Sequence, residues 1–401
     1  MNNRSFWLVF GECASVLGNA ATSLAIPVVA AGYLKLPASE LAFLSSASWI
    51  PWLFAIAVAH ASRRWSARLI LTVANAMSAL ALFTTALLVE NGRSSFYSLA
   101  AASLMLGAST VAYKAAFPRL VRDSFRPERI AALNRALFGG AAVAQATALV
   151  AGPFVLIIGE PWILFTIDAS TFVVALVIIW AVCKPHPQIA RSIGVEPWGV
   201  KASILEVNRR SVLLRLTGYT ALTNMCIGGY SSLAVTLFSP TSSAGGSVED
   251  NAWLAVAQIG SALGGFLYSL FVKVLDTRLS NERIYAICGV LILVLPLATA
   301  GANSLFAFLA FFGSGVFSAN LTVRKAIYLS REIPAPKITH VSAITQLTTN
   351  GAYLVGTLLA AAFATIIEAR VIIAVSSAAL TVISLCYAIT DRRAGRSSST
   401  L

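Results

Sequence analysis

Charged residues are scarce in this chain. Of its 401 residues, 11% are charged and 58% are hydrophobic, and the mean hydropathy is +0.79. A soluble domain of this size is about a quarter charged. The sequence therefore has too little polar surface to cover a water-soluble globule, which argues against a soluble enzyme and predicts a protein embedded in the lipid bilayer.

Patterns that hold metals, cofactors or nucleotides are missing as well. The sequence has no Walker-type glycine loop, so we do not expect ATP to drive this protein. Its three histidines lie too far apart in the sequence to indicate a metal site, and its five cysteines form neither a metal-binding spacing nor a disulfide framework. We therefore expect no cofactor, no metal and no catalytic residues.

Long hydrophobic runs take up most of the sequence instead. A helix that crosses a bilayer needs about 20 apolar residues, and twelve such runs can be laid out along the chain. Spans 1 to 6 cover 6–33, 39–61, 68–89, 95–117, 130–158 and 161–183. Spans 7 to 12 cover 211–238, 250–274, 283–302, 303–325, 338–367 and 369–390. The prediction is an all-α membrane protein with twelve transmembrane helices.

The positive charge is distributed as a topology signal. The net charge is +13, and with a cytoplasmic N-terminus the outer loops hold only Lys35, Arg93 and Arg370. Cytoplasmic loops of membrane proteins are enriched in Lys and Arg. The asymmetry therefore predicts that both termini are cytoplasmic, and it argues against a nucleic-acid partner.

The two halves of the chain resemble each other at an offset near 210 residues. For example, Ser23-Leu24-Ala25-Ile26 in span 1 corresponds to Ser232-Leu233-Ala234-Val235 in span 7. Such matches lie on either side of one polar segment, so we predict two pseudo-symmetric six-helix halves that face a shared substrate site. The predicted division is a first half at 1–183, a cytoplasmic linker with a short amphipathic helix at 184–210, a second half at 211–390 and a cytoplasmic tail at 391–401.

Four stretches of the chain carry a family resemblance. Span 1 contains Gly18-Asn19 and Ala25-Ile26-Pro27, span 2 contains Trp49-Ile50-Pro51, and span 6 contains Ile167-Asp168-Ala169-Ser170-Thr171-Phe172. These stretches resemble the major facilitator superfamily, and within it the bacterial branch of macrolide-efflux and enterobactin-exporter-like proteins. The resemblance implies a monomeric transporter with the major facilitator fold, in the bacterial cytoplasmic (inner) membrane, that works by alternating access.

Motifs that the superfamily uses for gating or packing match this chain in part. In the antiporter-like motif of span 5, Ala148 replaces one glycine, and in the loop after span 2, Ser62 stands where the superfamily has an aspartate. The arginine that drug exporters carry early in span 4 is Ser103 here, so we assume no proton route through that position. The gating or packing candidates are Gly139, Gly152, Pro153, Arg63, Arg64, Asp276 and Arg278.

Ionisable residues inside the spans are few, and each costs a few kcal/mol or more unless it faces a cavity or a partner. Glu12 shares one helical face with Ser15, Asn19 and Ser23. We predict that this polar stripe faces a central cavity and that Glu12 binds a proton. The alternative is a carboxylate at the cytoplasmic end of the span that pairs with a loop arginine.

Asp168 and Lys114 are the other two candidates for proton coupling. Asp168 lies about two turns into span 6, where the alternative role is to hold neighbouring helices together. Lys114 lies on one face of span 4 with Thr110. It could attract an anionic substrate or pair with Glu12, and the alternative is that it snorkels to the inner surface.

Uncharged polar and aromatic residues on several spans are candidates for a substrate cavity. The longest stripe, in span 11, runs from Ser342 to Tyr353 along one helical face. Such a stripe either lines a water-filled pathway or forms hydrogen bonds with a neighbouring helix. Such a mixture suits an amphiphilic organic molecule better than a small ion. The cavity candidates are Asn19, Trp49, Trp52, Tyr113, Asn224, Tyr230, Gln258, Asn320, Gln346, Asn350 and Tyr353.

The sequence thus predicts a secondary active exporter, driven by proton antiport, of a drug-like or siderophore-like small molecule. An importer or uniporter of the same fold is the nearest alternative, because a fold does not fix the direction of transport. A polytopic membrane enzyme or receptor is a further alternative. It would need a catalytic cluster or a sensing domain, and the longest predicted outer loop is about Ser239–Glu249.

Overall fold

The structure, a computed structural model, describes residues 3–61, 65–125, 160–182, 200–233, 281–294, 304–333 and 335–398. It also describes 260–268 apart from 262, and separate helical residues between 133 and 155. In this part of the chain the regular secondary structure is entirely helical. The helices are α1 (Asn3–Val28), α2 (Ala38–Ala47), α3 (Ala55–Ala61), α4 (Ala67–Glu90), α5 (Phe96–Ser124), α6 (Pro161–Val182), α7 (Val200–Arg209), α8 (Ser211–Ser231), α9 (Asn281–Leu293), α10 (Ser304–Glu332), α11 (Ala335–Phe363) and α12 (Ala369–Ser398).

Seven helical segments in the described residues are long and apolar enough to cross a membrane. The chain is therefore an all-α membrane protein, as predicted. Glu160 and Glu368 are non-helical, which agrees with the predicted limits between spans 5 and 6 and between spans 11 and 12. The predicted limit between spans 9 and 10, at 302–303, lies outside the described residues. The seven segments are Asn3–Tyr33, Ala38–Val58, Ala67–Glu90, Phe96–Val121, Pro161–Ala181, Leu305–Lys325 and Ala369–Thr390.

Span 2 differs from the single helix that the sequence predicted. The α-helix ends at Ala47, a 3₁₀ turn follows at Ile50–Phe54, and an α-helix resumes at Ala55. Pro51 explains the interruption, because proline has no backbone N–H and its ring clashes with the carbonyl of the residue four positions earlier.

Local capping fixes the ends of the neighbouring helices. The Ser66 side chain accepts a hydrogen bond from the backbone N–H of Leu69 at 3.2 Å and starts α4. Ser95 and Ser98 form a reciprocal capping box at the start of α5. Gly92, with φ +63°, supplies the left-handed residue that the turn between α4 and α5 requires.

The chain divides into two compact units. Unit 1 comprises Met1–Lys35, Ala47–Leu205 and Ala335–Leu347, and unit 2 comprises Leu36–Ser46, Glu206–Pro334 and Thr348–Leu401. In unit 1, α1 packs on α6, α6 on α4, and α4 on α5. In unit 2, α8 packs on α12, α12 on α9, and α9 on α10. Spans 1, 6, 3 and 4 therefore adjoin in the same order as spans 7, 12, 9 and 10, which agrees with the predicted duplication.

One close backbone contact occurs in both units. A Cβ at Gly107 in α5 would overlap the carbonyl oxygen of Ser48 in span 2, and a Cβ at Gly315 in α10 would overlap the carbonyl oxygen of Ser261 in span 8. Both partners are serines, and the two glycines lie 208 residues apart. The repeated contact is a structural trace of the duplication that the short sequence matches indicated.

The helix predicted in the linker corresponds to α7, Val200–Arg209. On this helix Val207 is buried, whereas Ile204 is exposed. Arg210 follows α7 and bonds the Glu206 carboxylate at 2.9 Å, and that hydrogen bond raises the pKa of the guanidinium above its ordinary value. At the other end of unit 2, α12 extends through Ser398, so helix continues beyond the predicted span limit at 390.

Candidate coupling site in unit 1

A polar cavity of about 90 Å³ lies between four helices of unit 1. Helices α1, α4, α5 and α6 all contribute to its wall. The lining contains one carboxylate, one ammonium group, two amides and four aliphatic hydroxyl groups. The lining residues are Glu12, Ser15, Val16, Asn19, Ala74, Asn75, Ser78, Ser109, Thr110, Tyr113, Lys114 and Phe172.

Glu12 is tied to α5 by a hydrogen bond from Tyr113, whose hydroxyl donates to Oε2 of the carboxylate. The Tyr113 ring stacks on Phe117, with centroids 5.0 Å apart, and this contact holds the hydroxyl in place. Lys114 is exposed, and the described residues show no ion pair between it and Glu12. The carboxylate thus meets a neutral donor on α5, rather than the ion pair with Lys114 that the sequence left open.

Asn75 lies in the cavity wall, and its amide orientation is fixed. Its Nδ2 donates to the backbone carbonyl of Leu71 at 2.8 Å, and the residue is only 1% exposed. A carbonyl oxygen can receive only a donor, so this bond determines which end of the amide is the oxygen. Oδ1 has no hydrogen-bond partner in the structure. A buried acceptor without a partner costs about 1–3 kcal/mol.

Ser109 contributes a second unpartnered group. Its hydroxyl is buried on α5 and makes no hydrogen bond in the structure. By contrast, the hydroxyl of the neighbouring Thr110 donates to the carbonyl of Leu106 at 2.8 Å and keeps its lone pairs available. The cavity wall therefore combines one carboxylate with several oxygen atoms that lack a full set of partners.

Asp168 occupies a different place in unit 1. It is fully buried on α6, accepts a hydrogen bond from the Thr22 hydroxyl at 2.5 Å and a weaker one from Thr171 at 3.3 Å. Gly18 faces the same carboxyl group, so closely that a Cβ there would overlap it. Asp168 joins α1 to α6 through these contacts and is not among the cavity-lining residues.

Unit 2 contains a buried polar chain in its interior. Arg324 donates to the hydroxyl groups of Tyr285 at 3.0 Å and Tyr387 at 3.3 Å, and Tyr285 donates to Oδ1 of Asn320 at 2.5 Å. The rings of Tyr285 and Tyr387 meet edge to face at 4.7 Å. Asn320, predicted to line a substrate cavity, is thus fully buried in a hydrogen-bonded chain.

The span 11 stripe lies on α11 and makes several contacts with α8. Within unit 2, the Tyr353 and Ser231 hydroxyls are 2.7 Å apart, and Asn224 Nδ2 donates to the Thr349 carbonyl at 3.1 Å. Thr349 is 2% exposed, whereas Asn350 is half-buried. This part of the stripe forms a helix contact, which is one of the two roles the sequence left open.

Other predicted residues lie apart from the unit 1 cavity or outside the described part of the chain. Trp52 packs with Ala55 and Val111, and Trp49 lies against that cluster. Tyr230 is buried against the Phe311 ring at 5.3 Å. Gln346 lies near the Ser342 hydroxyl on α11 itself. Outside the described residues lie Gly139, Gly152, Pro153, Arg63, Arg64, Asp276, Arg278 and Gln258.

The sequence predicted Glu12, Asn19, Tyr113 and Lys114 as candidates for proton coupling or substrate binding. The structure places all four around one cavity. Asn75, Ser78 and Ser109 were not predicted. A signal existed for the first two, since Asn75 and Ser78 are three residues apart in the middle of a mostly apolar helix. Their significance depends on which face of α4 meets α1 and α5.

Comparison with known proteins identifies the family. A profile of the Major Facilitator Superfamily matches residues 8–276. The chain belongs to the Major Facilitator Superfamily. It is therefore a transporter and not an enzyme, it is a multi-pass membrane protein, and its substrate is a small molecule. No curated protein sequence matches the chain significantly.

Solved structures with the same fold cover nearly all of this superfamily member. The nucleoside transporter NupG has a TM-score of 0.68 at 12% identity, over 96% of this chain and 98% of that one. A bacterial homologue of the human lysosomal transporter Spinster, in an inward-facing and unoccupied conformation, has a TM-score of 0.64 at 15% identity, over 97% of this chain and 96% of that one. These similarities show the major facilitator fold. At such low sequence identity they do not indicate which substrate this chain binds.

Proposed function

We propose that this protein is a proton-coupled antiporter that exports a small amphiphilic organic molecule by alternating access. The observation that carries the proposal is the Glu12 carboxylate, bonded by the Tyr113 hydroxyl at the wall of a polar cavity in unit 1. A carboxyl group inside a membrane span is costly unless it has a function. Proton binding and release is the simplest chemistry that the group offers.

The surroundings of Glu12 offer hydrogen-bond partners to both of its protonation states. Ionised Glu12 accepts this hydrogen bond, which stabilises the charge in a wall of low dielectric constant. Protonated Glu12 has a hydroxyl of its own, for which the hydroxyl groups in the cavity wall are candidate acceptors. Because no fixed cation holds the carboxylate ionised among the described residues, loading and unloading a proton need not break an ion pair.

The size of the cavity indicates that proton coupling and substrate binding take place at different sites. Sites for drug-sized ligands measure about 300–1,000 Å³, whereas this cavity has about 90 Å³. It holds several water molecules at most. We therefore assign coupling to the unit 1 cavity and the larger substrate to aromatic and amide candidates elsewhere in the chain. The export direction and the drug-like or siderophore-like substrate class rest on the resemblance of the span 1 and span 6 motifs.

The test uses proteoliposomes and a substrate chosen by a thermal-shift screen of antibiotics and siderophores. With Glu12→Gln we expect pH-gradient-driven transport to be lost while substrate counterflow persists. Glu90→Gln, which removes an exposed carboxylate at the end of α4, is the matched control and should transport normally. Uphill transport by Glu12→Gln at the rate of the unchanged protein would exclude Glu12 from coupling. Substrate and proton moving in the same direction would indicate an importer.

We further propose that the protein is a monomer in the bacterial inner membrane with both termini in the cytoplasm. The support is the distribution of Lys and Arg, since the predicted outer loops hold so few of them. Single cysteines introduced at Arg93 and at Arg209 test this orientation. A membrane-impermeant thiol reagent added to intact cells should label the first and not the second.

A further inference from the structure

The start of α4 and the end of α6 meet at one edge of the apolar surface of unit 1. Both helices are long and apolar enough to cross a membrane, and they pack on each other. On α4 an exposed apolar stripe runs from Leu69 to Leu80, and on α6 Val173 and Val177 form a second one. Exposed apolar faces of this extent contact lipid chains in a membrane protein. Trp180, the last exposed residue of the α6 stripe, lies where this surface ends.

Arg68 is fixed against Trp180 at this edge. Its Nη2 donates to the Trp180 carbonyl at 2.6 Å, and its guanidinium carbon lies 3.9 Å from the centroid of the Trp180 ring. The indole is held in turn, because its N–H donates to the Thr72 hydroxyl at 2.9 Å. A planar, permanently charged group is thus held beside a half-exposed tryptophan, a residue that is enriched where membrane meets water.

A second arginine lies close to the first. Arg119, near the end of α5, donates from Nη1 to the backbone carbonyl of Trp65 at 3.3 Å. Trp65 is exposed and precedes Arg68 by three residues, which span about 11 Å at most. Two guanidinium groups and two exposed indoles therefore lie together at this edge of unit 1.

The positive charge of Arg68 has no carboxylate partner among the described residues. On α6 the closest carboxylate in the sequence, Asp168, lies about 18 Å from Trp180 along the helix axis and bonds Thr22 instead. On α4 the one carboxylate, Glu90, is at the opposite end of the helix. These separations exceed the Debye length of about 8 Å at physiological ionic strength, so an anion from outside the chain fits better as the counter-ion.

The nitrogen atoms of Arg68 differ in their access to such an anion. Nε is buried, and one N–H of Nη2 is used by the Trp180 carbonyl. The side chain as a whole is half-buried, so we expect the anion at Nη1 and at the second N–H of Nη2. These two nitrogens form one edge of the guanidinium, which suits a phosphate group that accepts two parallel hydrogen bonds.

We propose that this edge of unit 1 binds one anionic phospholipid, whose phosphate bonds Arg68 and is attracted by Arg119, and whose acyl chains lie along the exposed faces of α4 and α6. The inference goes beyond the proposed transport function, because the partner is a component of the bilayer and not the substrate. Charge selects the occupant. A zwitterionic lipid carries a cation of its own, which the two arginines repel, whereas an anionic lipid does not.

The first experiment measures the thermal stability of purified, delipidated full-length protein in detergent, with phosphatidylglycerol, phosphatidylcholine or inorganic phosphate added. We expect phosphatidylglycerol to raise Tm by about 3 °C or more in a saturable manner, because a ligand that binds only the folded state stabilises it. Phosphatidylcholine should give a clearly smaller rise, and inorganic phosphate none. Equal rises with the two lipids, or a full rise with phosphate alone, would overturn the proposal.

Variants locate the lipid. Arg68→Gln and Arg119→Gln should each reduce the rise that is specific to phosphatidylglycerol, and the two changes together should abolish it. Arg68→Lys keeps the charge but loses the planar edge with two bonds, so it should retain only part of the rise. Arg93→Gln is the matched control, because Arg93 is an exposed arginine just beyond the other end of α4, and it should leave the rise unchanged.

Native mass spectrometry gives a readout that does not depend on the stability of the variants. The unchanged protein should retain one phosphatidylglycerol molecule under conditions that remove phosphatidylcholine, and the double variant should retain none. Arg119→Gln leaves the contact of Arg68 with Trp180 intact, so a weakened lipid preference in this variant cannot be ascribed to misfolding. Undiminished retention of phosphatidylglycerol by folded double variant would place the lipid elsewhere and refute the proposal.

Discussion

Units 1 and 2 share one helix arrangement but differ in what fills it. In unit 1 the space between α1, α4, α5 and α6 is a polar cavity beside Glu12. In unit 2 the corresponding helices, α8, α9, α10 and α12, enclose tyrosine rings, with Tyr285 fully buried and bonded to Asn320 and Arg324. The duplicated scaffold therefore supports two different interiors.

The difference shows which features the fold fixes and which the side chains decide. The contact of Gly107 with Ser48 recurs at Gly315 with Ser261, because helix spacing demands it in both units. In the described part of unit 2, bulky aromatic rings occupy the interior. In unit 1, smaller, oxygen-bearing side chains line a cavity instead.

The largest expected effects come from the contact that both units share. Gly107→Ala and Gly315→Ala should each lower the free energy of unfolding by about 1–3 kcal/mol, because the added methyl group overlaps a backbone carbonyl that cannot move aside. Unfolding in mixed detergent and SDS measures the loss. Gly218→Ala, at a position with open space, is the control and should be neutral or mildly stabilising. A large loss in only one unit would mean that the repeated contact is not equivalent.

Two tyrosine hydroxyl groups, one in each unit, should give the next largest effects. Tyr285→Phe removes the donor to Asn320 Oδ1 and one of the two tyrosine acceptors of Arg324, and it should cost about 1–2 kcal/mol without changing gradient-driven transport. Tyr113→Phe removes the donor to ionised Glu12, so gradient-driven transport should fall several-fold. Transport in proteoliposomes distinguishes the two variants. An equal loss of transport in both variants would contradict a coupling role confined to unit 1.

Asp168 tests whether unit 1 has one functional carboxyl group or two. Asp168→Asn keeps an acceptor for the Thr22 hydroxyl and nearly the same volume, so we expect a loss of about 1 kcal/mol and normal gradient-driven transport. Thr22→Val should cost a similar amount. Abolished uphill transport in a stable Asp168→Asn protein would instead assign coupling to Asp168.

The smallest effect is expected at the surface of unit 2. Glu206→Gln removes the ion pair with Arg210, and such pairs on a helix contribute about 0.3–0.5 kcal/mol. A thermal unfolding scan should show a shift near the limit of detection. A loss above about 1 kcal/mol would indicate that the end of α7 is fixed by more than this pair.

The sequence predicted the helices better than their contacts. Hydrophobic run length located the described spans closely, because bilayer thickness sets it. The break at Pro51 carried a signal as well, since proline cannot continue a helix, yet Trp49-Ile50-Pro51 drew attention only as a family motif. The stripe of Glu12, Ser15 and Asn19 was visible because helical periodicity alone reveals a polar face.

The partners of that stripe could not be predicted. The Tyr113 hydroxyl reaches Glu12, and Asn75 faces the same cavity, only because α1, α4 and α5 adopt one particular rotation about their axes. Packing of many side chains sets this rotation, and no local pattern records it. The same limit applies to Asn320. Its position in the sequence is equally compatible with a cavity wall and with a buried hydrogen bond, and only the structure shows that Tyr285 bonds it.

The central claim, that unit 1 alone carries the coupling group, has one most direct test. Purified protein in weakly buffered detergent solution is mixed with its substrate, and a pH-sensitive dye records the protons released. We predict release of about one proton per molecule, abolished in Glu12→Gln and unchanged in Tyr285→Phe. Undiminished release from Glu12→Gln would contradict the account.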